Sequence, residues 1–480
     1  MRRAIMFIGR TQELQFLNEH YLSSKAEFIV LYGRRRVGKT ELLTEFCKDK
    51  PNLFFACTET TDKQQFLKFS ECVLSYGNSR SLIKAFADWE DIFSRLPDLA
   101  GNSRLVVVID EFPYMCKGNT SIPSILQSLW DHKLKHSNLM IVISGSSMSF
   151  MEDEILSSKN PLYGRMTGNY KLEPMPFEDA IKFFPHYSTE EKIIAYSILG
   201  GIPHYLIQFD PNISLRENVV KNILSKGAVL FNEVEYILHQ EFREPAVYNT
   251  IAEAIAYGSS RFNEISERSQ LESSKLYPYL KAMIEIGLIT HEFSVTETSK
   301  NMTKRTQGEY KLTDSFFAFW YSFCYPYLSE LVQGEAQTVY EEIIQPNLHR
   351  ISAAPFENIC IYYLRHLRKI GQVPFRFLKI GRFWGKVTHK AEGKKPYTTS
   401  EEIDIYATDS TQTKYILGEC KFTNEPFDMS QLKKLQAKLS LQGEVWYYLF
   451  SLSGFTDSVK EYAANNTNTI LITAEDILRQ

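Results

Sequence analysis

At 480 residues the chain is too long for a single core and predicts roughly three domains of about 150 residues each. With 44% hydrophobic and 23% charged residues its composition is that of a globular protein, which excludes a disordered or fibrous chain. A net charge of −3 excludes a globally basic nucleic-acid coat, so any nucleic-acid surface must be local. The seven cysteines (Cys47, Cys57, Cys72, Cys116, Cys324, Cys360 and Cys420) are scattered, odd in number and never spaced C-x-x-C. That pattern predicts reduced thiols and argues against a zinc site or a disulfide frame. The start, Met1 to Phe7, lacks the apolar stretch of a signal peptide, and no apolar run approaches a membrane span. A cytoplasmic protein with no membrane partner is expected.

The first predicted strand is the apolar run Glu27-Phe-Ile-Val-Leu-Tyr32, and helical spacing begins at Glu41-Leu-Leu-Thr-Glu-Phe46. Between them Gly33-Arg34-Arg35-Arg36-Val37-Gly38-Lys39-Thr40 fits G-x-x-x-x-G-K-[ST] in full, in the strand–loop–helix context of a phosphate-binding loop. Gly33 and Gly38 are expected to adopt backbone angles that a side chain would forbid, turning several N–H groups toward one anion. The new helix would aim its positive dipole end at the same place. Residues 33–41, Glu41 included, form the expected ATP-binding segment. Lys39 would reach the β- and γ-phosphates, and the Thr40 hydroxyl would ligate Mg²⁺. The three arginines are either phosphate contacts or a basic rim.

Leu105-Val-Val-Val-Ile-Asp110-Glu111 reads as a strand buried on both faces, with two carboxylates at the end where open α/β sheets bind ligands. Asp110 would hold Mg²⁺ through its water shell, and Glu111 would orient or polarise the attacking water. A further buried strand, Leu139-Met-Ile-Val-Ile143, ends in Ser144-Gly-Ser-Ser147. Ser144 there is a candidate γ-phosphate sensor, against a plain strand-end turn. Arg165, just before the strand-like Tyr170-Lys-Leu-Glu-Pro, either acts on phosphate, in its own subunit or in a homo-oligomeric neighbour's, or forms a structural salt bridge.

These motifs together resemble the archaeal-type ATPases, a prokaryotic group of AAA+-like P-loop proteins related to the STAND signalling ATPases. Phe7-Ile-Gly9-Arg10 with Glu13-Leu14 looks like the N-terminal nucleotide-base motif, and Gly200-Gly-Ile-Pro203-His-Tyr-Leu206 resembles the lid motif. The resemblance implies ATP binding at Gly9, Arg10 and the loop, with Pro203 near the adenine, and a nucleotide-dependent rearrangement of the lid. It covers about residues 5–235. No lid arginine stands out as a γ-phosphate sensor.

Residues 245–313 read as three helices, around Ala246–Ala256, Arg261–Arg268 and Lys275–Ile284, followed by wing strands at 289–295 and 310–312. Pro278 is expected near the first turn of the third helix, where proline is tolerated. The arrangement is similar to winged-helix domains. Its recognition face offers only Lys275 and Lys281, against Glu272 and Glu285, and Lys300, Lys304 and Arg305 lie at the wing tip. The aromatic run Phe316–Phe323 is expected to be core.

A second constellation follows. Glu357 lies near the start of a helical run, Asp404 on the strand Glu402–Tyr406, and Glu419 and Lys421 on one face of the next strand, Tyr415–Phe422. An amphipathic helix, 431–439, comes next. This resembles the PD-(D/E)xK nuclease pattern. Glu357, Asp404 and Glu419 would ligate Mg²⁺ or Mn²⁺, with Lys421 positioning or activating the attacking water. Between Ile361 and Ser400, Arg365, Arg368, Lys369, Arg376, Lys379, Arg382, Lys386, Lys390, Lys394 and Lys395 stand against Glu392 alone, interleaved with aromatics. That strip suits a DNA backbone and unstacked bases.

The expected fold is therefore α/β throughout: a P-loop NTPase parallel sheet (1–175), a helical lid (176–240), a winged helix (241–315), an aromatic connector (316–339) and a restriction-endonuclease-like domain (340–480). The expected function is an Mg-ATP-dependent ATPase coupled to DNA binding, with or without cleavage. The rival is a STAND-like nucleotide switch whose last domain is an inactive binding module.

Overall fold

The computed structural model describes residues 7–76, 86–389 and 396–479, which form two units, Met1–Asp179 with Ile202–His204, and Ala180–Gly201 with Tyr205–Gln480. Lys390, Glu392, Lys394 and Lys395 of the basic strip lie outside the described residues.

Five strands build the sheet of the first unit: β1 (Glu27–Tyr32), β2 (Asn52–Ala56), β3 (Leu105–Asp110), β4 (Leu139–Gly145) and β5 (Gly168–Lys171). Their order is β2-β3-β4-β1-β5 and every pairing is parallel. All residues of β1, β3 and β4 are buried, as their unbroken apolar runs predict for central strands covered on both faces. The consequence for function lies at the carboxyl ends. β4 stands between β1 and β3, so the phosphate loop after β1 and the acids after β3 are separated by one strand, and the turn after β4 falls between them.

The second unit opens with helices. Thr189–Leu199 is started by a capping box of Ser188 and Glu191, Leu215–Val219 by one of Ser214 and Glu217, and Glu233–Glu241 follows. Next come helices Pro245–Ala256, Phe262–Ser269 and Ser273–Glu285 and an antiparallel hairpin, β6 (Ile289–Glu292) with β7 (Glu309–Leu312). The third helix begins two residues before its expected start. Pro278 therefore sits in its second turn, not its first, where it has no N–H to donate to the preceding turn. The aromatic segment is core as expected, with Phe316, Phe317, Phe319, Trp320, Tyr321 and Phe323 all buried.

The 22-residue helix Leu348–Lys369 packs along Thr189–Leu199 and beside the second sheet. That sheet contains β8 (Lys379–His389), β9 (Tyr397–Thr408), β10 (Lys414–Lys421), β11 (Glu444–Ser451) and β12 (Thr469–Thr473), in order β12-β11-β10-β9-β8. β8, β9 and β10 form an antiparallel meander, and β10, β11 and β12 are parallel. Helices Met429–Lys438 and Asp457–Asn465 make the two parallel crossovers. β8 is an edge strand, and the chain after β6 covers it: the Val295 amide donates to the Arg382 carbonyl at 2.9 Å, and the Trp384 amide to the Ser294 hydroxyl at 3.2 Å. That is why β6 stops at Glu292, short of the expected Val295.

Trp320 is 1% exposed and its indole N–H donates to the Phe231 carbonyl at 3.2 Å. Trp320→Ala should destabilise the second unit by about 3–5 kcal/mol, and Trp320→Phe by clearly less, as read by denaturant unfolding.

Candidate functional site

Between Tyr32 and Lys39 the chain reverses in a loop whose special angles belong to Gly38 (φ 88°) and Arg36 (φ 73°). Gly33 differs from expectation. It does not adopt a left-handed angle, and a Cβ there would stand 2.4 Å from the Leu172 carbonyl oxygen, so the position demands glycine for space. Lys39 is buried and its ammonium donates to the carbonyls of Gly33 (2.9 Å) and Arg34 (3.2 Å), across the loop it is to serve. Val37 is buried, and Glu41 is exposed in the first turn of helix Lys39–Cys47.

Arg10 also supports this loop. Buried and left-handed (φ 61°), it donates to the Val37 carbonyl at 2.8 Å and to the Glu173 carbonyl at 2.8 Å, and pairs with Glu13 at 2.9 Å. Gly9 beside it leaves no room for a side chain, since a Cβ would lie 2.7 Å from the Asp179 carboxylate. Pro203 packs on the loop, its Cγ 3.6 Å from where a Cβ on Gly38 would stand. Next to it, burial and then the charge of Arg36 push the His204 imidazole down to about 4, so it is neutral near pH 7. Arg35 reaches the Tyr114 hydroxyl at 3.5 Å.

Asp110 is the junction of the site. It is buried; one carboxylate oxygen accepts from Thr40 Oγ1 at 2.6 Å, and the other accepts from Ser144 Oγ and from the Glu111 amide at 3.1 Å. Ser144 is fully buried and its hydroxyl donates to Asp110. Glu111 holds a left-handed conformation (φ 53°), a strain of about 1–3 kcal/mol for a non-glycine residue. Its carboxylate accepts from the Ser146 hydroxyl and from the Ser146 amide at 3.3 Å. Ser146 escaped the sequence reading, although it lies in the Ser144–Ser147 turn; its only signal was a hydroxyl at the end of a buried strand. Arg165 forms the salt bridge left open as an alternative, binding Asp131 through Nε (3.3 Å) and Nη2 (3.0 Å).

The donor set fits Mg-nucleotide. Thr40 and Asp110 present hydroxyl and carboxylate oxygens 2.6 Å apart, the ligand type that Mg²⁺ takes, beside the ammonium of a glycine-bounded loop. Bound Mg²⁺ would neutralise phosphate charge. Lys39 would exchange its carbonyl partners for phosphate oxygens, and Glu111 would orient water.

Residues 7–209 match an ATPase domain found predominantly in Archaea. The chain belongs to the archaeal-type P-loop ATPases. An uncharacterised protein of Methanocaldococcus jannaschii is 32% identical to this ATPase over 458 residues, 95% of each chain. An uncharacterised ATP-binding protein of Pyrococcus horikoshii is 24% identical over 303 residues, covering 53% of the ATPase and 94% of that protein. The solved Walker-type ATPase of Pyrococcus abyssi shares the fold, with a TM-score of 0.50 at 21% identity, over 66% of this ATPase and 96% of that chain. Residues 320–437 match a family of archaeal and bacterial proteins of unknown function. Among the described residues no helix is long and apolar enough to cross a membrane.

The second acid cluster of the ATPase lies on β9, β10 and helix Leu348–Lys369. Asp404 accepts from the Cys420 amide at 2.8 Å. Glu419 binds Lys421 through one oxygen (2.6 Å) and Lys438 through the other (2.9 Å). Lys438 escaped the sequence reading because it was one of several lysines on an amphipathic helix. Burial, then Asp404 and other carboxylates, push Glu357 up to about 8. Burial and then Glu419 raise Asp404. Burial works to raise Glu419 as well, but its hydrogen bonds and charge pairing with the two lysines hold it below the usual value.

Glu357, Asp404 and Glu419 lie near enough to one another for Asp404 and Glu419 both to raise the Glu357 carboxyl. Among the described residues no group of three or more acids, histidines or cysteines is arranged to hold a metal ion. Both Glu419 oxygens are taken by ammonium groups, and Glu357 faces Arg382 at 3.6 Å. As arranged, these residues do not fit Mg²⁺ or Mn²⁺. Arg382, expected in the basic strip, is a half-buried hub instead, joining Glu357 to Glu292 (3.0 Å), Glu309 (4.0 Å) and Glu402.

Lys39→Ala should abolish ATP binding in equilibrium titration. Glu111→Gln should bind ATP normally and lose turnover by about 10²–10⁴-fold, and Ser146→Ala should lower kcat with little change in KM. Normal turnover in all three would remove the assignment. The raised Glu357 carboxyl contributes stability that is full below its unfolded value of about 4.3 and is lost as pH rises through about 8. The melting temperature should therefore fall between about pH 5 and 8.5, and Glu357→Gln should flatten that fall.

Proposed function

We propose that ATP turnover at the phosphate loop controls the grip of the C-terminal domain on DNA. The observation that carries this reading is a row of exposed cations, Arg365, Lys369, Arg376, Lys379 and Lys386, with no salt bridge among the described residues. Unpaired surface cations on one sequence stretch of an acidic protein are suited to phosphate backbone. The strand order of the second sheet, an antiparallel meander followed by two parallel strands with Asp404 and Glu419-Cys-Lys421 on neighbouring strands, supports a PD-(D/E)xK-like scaffold. The paired lysines on Glu419 favour binding over cleavage on that scaffold, which is the inactive-module alternative in part.

Residues 245–313 act as a winged-helix-like clamp and not as the DNA reader. Lys275 pairs with Glu272 (3.8 Å) and Lys281 with Glu285 (3.3 Å), and the segment after β6 is committed to β8. The coupling route is covalent. Helix Thr189–Leu199, which packs along Leu348–Lys369, runs through left-handed Gly200 (φ 62°) into Pro203 on the phosphate loop. Nucleotide at the loop would thus be felt by helix Thr189–Leu199.

Fluorescence anisotropy with labelled DNA tests this. Binding should fall steeply with salt and differ at least threefold between Lys39-competent protein in ATP and in ADP, with Glu111→Gln trapping the ATP state. DNA binding that ignores nucleotide would break the coupling, and no binding at low salt would remove DNA. Plasmid nicking by wild type and not by Asp404→Ala would show that the acid cluster rearranges for cleavage.

A further inference from the structure

A cleft of about 380 Å³ opens in the second unit where the segment after β6 meets β8 and helix Leu348–Lys369. Val295, Met302, Leu378 and Ile380 supply an apolar wall, and Arg365, Arg368 and Lys379 supply three cations. Arg368 is occupied: it donates to the Phe377 carbonyl at 3.0 Å and lies over the Phe377 ring at 5.2 Å. Arg365 and Lys379 are exposed and have no salt bridge among the described residues. Leu378 keeps 65% of its surface in solvent and Met302 39%, large apolar side chains left open beside charge.

We propose that this cleft takes one unstacked nucleotide of a single DNA strand, its phosphate on Arg365 and Lys379 and its base against Leu378 and Met302. The inference rests on the DNA reading above and narrows it. The volume lies near the lower end for ligand pockets, about 300 Å³, so it suits one nucleotide and not a helix. A duplex hides its base faces in the stack and would use the cations alone. A single strand offers phosphate and an apolar base face together, the pair of chemistries this cleft presents. The methionine side chain adapts to different bases, which predicts weak sequence preference. Because Val295 and Met302 come from the hairpin segment, Leu378, Lys379 and Ile380 from the start of β8 and Arg365 from the helix, the site exists only when these elements are packed together.

The test is anisotropy of the full chain with a labelled oligothymidine and with a blunt duplex of equal length. The single strand should bind at least tenfold tighter than the duplex. The Arg365→Ala/Lys379→Ala variant should weaken the single strand at least tenfold and reduce its salt slope by about 1.4, for two phosphate contacts at about 0.7 each. Leu378→Ser should weaken the single strand and leave the duplex unchanged, a split that a misfolded protein would not give. Wild-type affinity in both variants, or equal affinity for duplex, overturns the cleft while leaving the DNA reading intact. Failure of the wild type to bind either DNA overturns both. Displacement of the strand by micromolar thymidine 5′-monophosphate would overturn the strand in favour of a free nucleotide.

Discussion

The ATPase unit depends on one buried carboxylate. Asp110 joins Thr40 of the loop after β1 to Ser144 at the end of β4, and so ties three neighbouring strand ends into one piece. A buried carboxylate is tolerable only when its lone pairs are filled, and here they are filled by the residues whose relative positions catalysis needs. The strand order β3-β4-β1 is what makes this geometry available. Arg10 performs the corresponding task for the loop, joining the Val37 carbonyl to Glu13 and to the segment after β5.

The second unit has its own organising ion, with a different consequence. Arg382 lies among Glu292, Glu309, Glu357 and Glu402, and Lys311 adds to the first two at 2.9 and 3.4 Å. Carboxylates crowded around few cations are stable as a group only while the segment that brings them together stays in place. The hairpin, the edge strand β8 and the acid cluster are therefore mechanically one assembly. The acid that would serve a metal is instead engaged in holding the hairpin, and Glu419 is neutralised by two lysines.

Much of this was legible because local patterns carried it. The loop Gly33–Thr40, the strands ending in Asp110 and Ser144, the aromatic core at 316–323 and the places of Asp404, Glu419 and Lys421 on neighbouring strands all rest on period, motif or spacing. What was not legible is pairing across distance. Nothing near Gly33 shows that Leu172 comes within a methyl's reach. Nothing near Arg382 separates it from the exposed cations on either side. Ser144 lies at the end of β4 and Ser146 just past it, yet each serves a different acid, because β4 places that strand end between the two. Pro278 was misplaced for a smaller reason: helix ends slip by one or two residues when a cap is ambiguous.

The sequence by itself determined that this chain holds a phosphate loop, because that motif is contiguous and its chemistry is backbone amides, a lysine and a hydroxyl within eight residues. It also determined the α/β class with its parallel central sheet, since buried parallel strands leave unbroken apolar runs. Only the tertiary structure decided which ionisable groups are free to act. Whether an arginine is a DNA contact, a phosphate sensor or a half-buried ion-pair hub depends on which carboxylates the fold brings within about 4 Å, and Coulomb interactions away from bulk water are set by that distance and not by sequence neighbours.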